Sequence, residues 1–121
     1  LSEGGLLVAA AEMAFAGRVG GTLDLRAVPR SADCDRADWI LGSEWLTRFL
    51  GEVAPEHAPA FESALRGVPC ARIGSTEAEP RLSIRGLAGE VLLEEALDDL
   101  QASHAAGMEP NLPLQAGKRR A

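Results

Sequence analysis

The chain has 121 residues, enough for one domain with a buried core. Hydrophobic residues make up 46% of it and charged residues 25%, as in ordinary globular proteins, and no apolar run reaches the roughly 18 residues of a membrane span. The net charge of −6 argues against nucleic acid as a partner, because contacts with phosphate dominate that kind of binding.

The opening residues predict a helix over 2–17, in which small and apolar residues recur at helical spacing up to Gly17. Residues 21–25, GTLDL, alternate between polar and apolar side chains and predict a strand. The polar residues 26–38 are expected to form a connection. The chain therefore begins with a slim helix followed by a strand.

The middle of the chain is predicted to hold two short strands and a helix. The apolar run WIL at 39–41 predicts a strand, residues 42–47 a loop or bend, and RFLGEV at 48–53 a further strand. Residues 54–67 predict a helix, because Pro55 suits its first turn.

The remaining elements are expected to complete one sheet. They are strands over 70–76, 81–86 and 90–96, of which the last two form a hairpin, a helix over 97–105 and an irregular tail over 107–121. Strands and helices mix without a strict βαβ repeat, so the predicted fold class is α+β, a single mixed β-sheet with helices packed on it. We expect residues 1–106 to form the domain and residues 107–121 to be a tail outside it.

The cysteines and histidines indicate neither a disulfide framework nor a metal site. Cys34 and Cys70 form no CxxC pair, and His57 and His104 are isolated. We expect both thiols to be free, with Cys70 inside the sheet in the apolar context VPCARIG, and His57 to be a surface residue. This cysteine usage is typical of a cytoplasmic protein.

Two adjacent glycines stand where the first helix begins, in SEGG at residues 2–5. Gly is a poor helix former, so its presence here needs a reason. Ser2 is a natural N-cap residue, and Gly4 and Gly5 leave the backbone N–H groups unshielded at the positive end of the helix dipole. Such a turn can cradle a phosphate, in which case the N–H groups of residues 3–6 face open space. The alternative is that the glycines only allow a tight turn and close packing of the helix on the sheet.

The same stretch resembles a known family. LSEGGLLVAAAEMAFAG is similar to the opening of the C-terminal domain of the phosphoribosylformylglycinamidine synthases, where Ser-(Asp/Glu)-Gly-Gly-Leu leads into an Ala-rich helix ending in Ala-Glu-Met-Ala. Ser2, Glu3, Gly4 and Gly5 match this motif, and the resemblance implies that they bind phosphate or nucleotide. The family's leading Asp would stand before Leu1, so we expect the chain to start within the motif and an ATP-binding domain to precede it.

A second stretch extends the resemblance, which covers residues 2 to about 105. GSEWLTRF resembles the family's Ser-Glu-Ser-x-x-Arg-Phe loop, which implies a ligand loop containing Ser43, Glu44 and Arg48. Glu44 and Arg48 are four residues apart and are expected to form an ion pair that braces the loop. Trp45 departs from the family pattern, because a bulky indole replaces a hydroxyl.

The resemblance implies an AIR synthase-related C-terminal domain within an ATP- and glutamine-dependent ligase of purine biosynthesis. That enzyme converts formylglycinamide ribonucleotide into the amidine with ATP and Mg²⁺, and its metal ligands and catalytic His belong to a domain outside this chain. The implied partners are this N-terminal ATP-binding domain, a glutaminase domain or subunit, and a small accessory subunit or a second copy in a homodimer. The chain alone is then expected to be inactive and to bind no cofactor, and the enzyme is expected in the cytoplasm.

Two alternatives stay open at this point. The domain can be a non-catalytic half that maintains the architecture of the enzyme or docks a subunit, which Trp45 favours. The chain can also belong to another ATP-using member of the superfamily, which would require different residues before Leu1.

Overall fold

The computed structural model describes residue 1 and residues 3–108, so Ser2 and nearly all of the tail predicted over 107–121 lie outside the described residues. The elements in chain order are helix α1 (Gly5–Gly17), strand β1 (Gly20–Asp24), helix α2 (Ala37–Gly42), helix α3 (Ala58–Ala64), strands β2 (Gly74–Glu77), β3 (Arg81–Arg85) and β4 (Val91–Ala96), and helix α4 (Leu97–Met108). Two short 3₁₀ helices, Leu25–Ala27 and Pro55–His57, follow β1 and precede α3.

The four strands form one mixed sheet in the order β2-β1-β3-β4. Strand β1 pairs antiparallel with β2 and parallel with β3, and β3 and β4 form an antiparallel hairpin. A single mixed sheet with helices confirms the predicted α+β fold class.

The core of the chain gathers on β3 and three of the helices. Leu82 and Ile84 stand two residues apart in β3, so both side chains point to one face of the sheet, and both are buried. Leu6 of α1, Ile40 of α2 and Leu97 of α4 belong to the same buried cluster. Burial of this apolar surface is what holds the helices to the sheet.

Most elements with a clear local pattern are confirmed. The first helix begins at Gly5 rather than at residue 2, and the first strand lies one residue earlier than predicted. The hairpin of β3 and β4 is confirmed, and the last helix runs to Met108. No helix within residues 3–108 has the length and apolarity that a membrane span requires.

The strand predicted over residues 39–41 is wrong, because these residues lie within α2. Three apolar residues in a row do not distinguish a strand from a buried helical turn. Asp38 lies in the first turn of α2, where the helix dipole favours a negative charge. Ile40 is buried in the core, and the Arg36 guanidinium lies 4.8 Å from the centre of the Trp39 ring.

The strand predicted over residues 48–53 is also wrong, because this segment has no regular structure and Phe49 is 88% exposed. The sequence RFLGEV has suitable strand composition, but a strand forms only where a neighbouring strand supplies hydrogen bonds and packing. Within the described part of the chain, none of the four strands pairs with it.

The helix predicted over residues 54–67 is divided into the 3₁₀ helix Pro55–His57 and the short helix α3. No residue of α3 is buried, and Phe61 on its apolar face is 43% exposed. Helix α3 therefore contributes little to the core. His57 is exposed, as predicted.

The strand predicted over residues 70–76 begins only at Gly74, where pairing with β1 starts. Cys70 consequently precedes the sheet and is exposed, so its predicted place in the interior is wrong. Cys34 is half-buried, and both thiols are free.

Candidate functional site

The start of α1 and the loop after α2 lie side by side. We call this region the α1 corner; it consists of Leu1, residues 3–5 and residues 43–48. The Trp45 N–H donates to the Leu1 carbonyl oxygen at 2.9 Å, and the Leu1 nitrogen donates to the Arg48 carbonyl oxygen at 2.5 Å. The Gly4 N–H donates to Oε1 of Glu44 at 2.9 Å. The two segments predicted separately as ligand sites are therefore in direct contact.

Both glycines at the start of α1 are required by the backbone. Gly4 has a φ of 74° and Gly5 a φ of 68°, in the left-handed region that side chains disfavour. Gly5 is also buried, and a Cβ on it would lie 2.6 Å from the Leu41 carbonyl oxygen and 2.7 Å from the Gly42 carbonyl carbon. The alternative of a tight turn and close packing thus holds, with the end of α2 as the packing partner instead of the sheet.

The first turn of α1 is less open than a phosphate cradle of four N–H groups requires. Gly5 and Leu6 are buried, so the expectation for residues 3–6 fails at these two positions. Glu3 is exposed, and Gly4 is half-buried with its N–H held by Glu44. A carboxylate at this place is favourable, because a helix N-terminus carries partial positive charge.

The predicted ion pair between Glu44 and Arg48 does not form. Arg48 instead donates through Nη1 to Oγ of Ser43 at 2.6 Å and through Nη2 to the Ile40 carbonyl oxygen at 3.4 Å. Glu44 is drawn to the helix terminus, and Arg48 turns back to brace the loop through neutral oxygens. Ser43 and Arg48 are thus in contact, and Glu44 contacts Gly4.

A cleft of about 1560 Å³ adjoins the α1 corner. Its lining includes residues of α1, β1 and β2 and many residues of the segment 45–73. Its apolar lining includes the exposed side chains of Trp45, Phe49, Phe61 and Val68. Contiguous exposed apolar surface is typical of interaction sites. In the sequence, only the scattered aromatic residues of 45–61 could have indicated this cleft.

The connection after β1 is held by arginines. Arg30 donates to the carbonyl oxygens of four residues at 3.1–3.2 Å, namely Leu25, Arg26, Val28 and Cys34. Asp24 accepts hydrogen bonds from the side chain and the backbone of Arg26, which lower its pKa to about 2. These contacts fix the conformation of the connection. Over residues 1 and 3–108, no three His, Cys, Asp or Glu side chains are placed to hold a metal ion.

Comparison with known proteins defines the family. The family model described as AIR synthase related protein, C-terminal domain, matches residues 1–86, so the chain belongs to this family. Over 115 residues, 92% of the chain, it is 35% identical to the phosphoribosylformylglycinamidine synthase subunit PurL of Synechococcus elongatus. Over 76 residues, 60% of the chain, it is 42% identical to the PurL subunit of Synechocystis sp.. The chain spans 14% of the length of the first relative and 9% of the second.

Solved structures show the same fold. The chain of T. maritima PurL complexed with ATP has a TM-score of 0.71 and 22% identity, over 81% of this chain and 17% of that one. The chain of T. maritima PurL complexed with FGAR has a TM-score of 0.65, over 83% of this chain and 17% of that one. At this level of identity, the likeness concerns the fold alone.

Proposed function

We propose that this chain is a domain of phosphoribosylformylglycinamidine synthase, the ATP- and glutamine-dependent ligase that converts formylglycinamide ribonucleotide into formylglycinamidine ribonucleotide. The observation that carries the proposal is the 35% identity with a PurL subunit over 92% of the chain. Because the chain spans 14% of that subunit, the domain supplies only part of the catalytic machinery.

The α1 corner is the part of this domain that meets the ligand in our proposal. Glu3, Gly4 and Gly5, with Ser2, form the phosphate- or nucleotide-binding segment, and Ser43, Glu44 and Arg48 form the facing loop. Two groups lie where a phosphate would bind: the Arg48 guanidinium, which among the described residues donates to a hydroxyl and to carbonyl oxygens, and the Gly4 N–H at the helix terminus, which a phosphate would have to take from Glu44. Phosphoryl transfer needs positioning and charge neutralisation, and these are the roles such groups supply.

Mg²⁺ and the catalytic groups belong to other parts of the enzyme in this proposal. The described residues contain no gathered set of carboxylates or imidazoles that would fit a metal ion. We assign the metal ligands to an N-terminal ATP-binding domain, and ammonia to a glutaminase domain or subunit. A small accessory subunit or a second copy completes the set of partners. Residues 1–106 form the domain, residues 107–121 its tail, and the enzyme acts in the cytoplasm.

A chimera tests this proposal. The 121 residues replace the matching segment of the S. elongatus PurL subunit, and ATP-dependent formation of the amidine is measured. We expect an active chimera, and we expect no activity from the 121 residues alone, because catalysis requires all groups in register. A folded chimera without activity contradicts the proposal.

Arg48→Ala in the chimera tests the ligand role of the corner. The variant loses one charge-assisted hydrogen bond to the ligand, which should reduce the affinity of the chimera for that ligand about tenfold or more. Arg66→Ala is the matched control, because Arg66 is an exposed arginine beyond the end of α3 and outside the corner. Equal kinetics of the two variants would contradict contact between Arg48 and the ligand.

A non-catalytic docking role is the second candidate, and Trp45 favours it. This side chain is 64% exposed and borders the apolar cleft, where the family pattern has a serine. In that case Trp45→Ser leaves the catalytic constants of the assembled enzyme unchanged and weakens subunit or domain assembly. Sedimentation of the purified enzyme measures that loss.

A further inference from the structure

Residues 48–53 carry a strand pattern without a strand partner. In RFLGEV the apolar side chains Phe49 and Val53 are four residues apart and would fall on one face of a strand. Over the described part of the chain, no backbone N–H or carbonyl oxygen of residues 49–53 forms a hydrogen bond with another backbone group. Unpaired groups of this kind are available to a further strand.

The same segment borders the apolar cleft. All of residues 48–53 line the cleft, and the buried core residues Leu6 and Leu82 line it as well. Its volume of about 1560 Å³ exceeds the roughly 300–1000 Å³ of an ordinary small-molecule pocket. Phe49 borders this space and is 88% exposed. The cleft therefore suits a segment of polypeptide better than a small molecule.

The charges around the cleft indicate an uncharged occupant. Two of the arginines that line it, Arg30 and Arg72, donate to backbone carbonyl oxygens of this chain. Positive and negative side chains are equal in number in the lining: Arg30, Arg48, Arg72, Asp33, Glu52 and Glu62. A strongly charged partner would find no excess of opposite charge there, whereas an apolar strand would cover apolar surface.

Leu1 joins the start of the chain to residues 48–53. Its nitrogen donates to the Arg48 carbonyl oxygen at 2.5 Å, and its carbonyl oxygen accepts the Trp45 N–H at 2.9 Å. The Leu1 side chain lines the cleft and packs against the core cluster. Any residue joined to the Leu1 nitrogen therefore begins beside the first residue of the unpaired segment.

We propose that the residues preceding Leu1 in the synthase fill the cleft as an apolar strand paired with residues 48–53. The strand takes the unpaired backbone groups of 49–53, and its apolar side chains cover Phe49 and the exposed part of the core. This inference rests on the proposed function, because the occupant belongs to the same polypeptide, and this chain spans 14% of a PurL relative. The neighbouring segment then completes the core of the domain as well as connecting it to the enzyme.

An extended chain tests this pairing. About ten residues that stand before the matching segment of the S. elongatus subunit are placed before Leu1, and amide hydrogen exchange of the ¹⁵N-labelled protein is followed by NMR. A strand partner binds every second N–H along its neighbour. We therefore expect alternate amides of 48–53 to exchange at least about tenfold more slowly than in the 121-residue chain. The same added residues in scrambled order are the control and should leave these rates unchanged.

Phe49→Glu in the extended chain tests the apolar contact. Because Phe49 is 88% exposed in the 121-residue chain, this variant should fold, but the added strand would bury the new charge. We expect the exchange rates to return to within about twofold of those of the 121-residue chain. Leu46→Glu is the matched control, because Leu46 is 83% exposed in the same loop and lies outside the lining of the cleft. This control should keep the slowed exchange.

The outcomes separate the inference from the proposed function. If the natural extension slows no alternate amide while the chimera is active, the docking is overturned and the proposed function stands. Equal slowing by the scrambled extension, or in Phe49→Glu, also overturns the docking. If sedimentation shows that the unextended chain is a dimer in which the amides of 48–53 are already protected, a second copy fills the cleft and the inference is wrong. Slowed alternate amides beside an inactive chimera support the docking and contradict the proposed function alone.

Discussion

Replacement of Gly5 by alanine should lower the free energy of unfolding by about 2–5 kcal/mol. The left-handed φ of 68° costs a residue with a side chain about 1–2 kcal/mol. The new Cβ would also lie 2.6 Å from the Leu41 carbonyl oxygen, which is backbone and cannot rotate away. Helices α1 and α2 must then separate, at the roughly 1–3 kcal/mol that overpacking costs. The total free energy of unfolding of such a domain is only about 5–15 kcal/mol.

Urea unfolding of the 121-residue chain, followed by circular dichroism, measures this loss. Gly42→Ala is the matched control, because Gly42 lies across the same contact and no atom lies within 4 Å of a Cβ added to it. We expect this control to unfold within about 1 kcal/mol of the wild type. If Gly5→Ala also remains within about 0.5 kcal/mol of the wild type, the range of a neutral surface substitution, the close contact is not the reason for the glycine.

Three further predictions concern stability. Arg30→Lys should lower the free energy of unfolding by about 1–2 kcal/mol, because an ammonium cannot reach all four carbonyl oxygens that the guanidinium holds. Urea unfolding measures this loss, and an unchanged free energy would contradict the role of Arg30. Asp24→Asn should flatten the dependence of stability on pH. Hydrogen bonds from Arg26 lower the pKa of Asp24 from 3.8 to about 2 in the folded protein. The stability that the Asp24 carboxylate contributes is therefore complete above pH 3.8 and is lost as the pH falls towards 2. Unfolding from pH 5 to 2 checks this, and equal slopes for variant and wild type would count against it. Ile84→Ala should cost about 2–5 kcal/mol, whereas Phe49→Ala should change stability by less than about 0.5 kcal/mol. A large loss at Phe49 would mean that residues 48–53 form a packed strand after all.

The sequence predicted those elements whose cause is local. Helix α1 follows from its spacing of small and apolar residues, and the β3–β4 hairpin follows from two strand patterns around a short glycine-containing turn. The prediction for 39–41 failed because three apolar residues fit either a helix or a strand, and the prediction for 48–53 failed because none of the four described strands pairs with that segment. Their state depends on which partners lie nearby, and that is decided by packing between distant parts of the chain.

The candidate site was predictable in its parts but not in its assembly. Residues 2–5 and the loop 43–48 each carried a recognisable motif. Their junction depends on the contact between α1 and the end of α2, which needs the bare Cα of Gly5. The bond from Gly4 to Glu44 follows from that contact, and no local pattern indicates that Glu44 prefers a helix terminus to Arg48.

The parallel pairing of β1 with β3 has a consequence for the order of folding. Leu23 pairs with Gly74 and with Ile84, so β1 leaves the ribosome long before either neighbour exists. The β3–β4 hairpin, by contrast, closes over a few residues and can form as soon as it is synthesised. Strand β1 therefore stays unpaired until β2 and the hairpin have been synthesised. We expect the closing of this long loop, rather than formation of the hairpin, to limit the rate of folding.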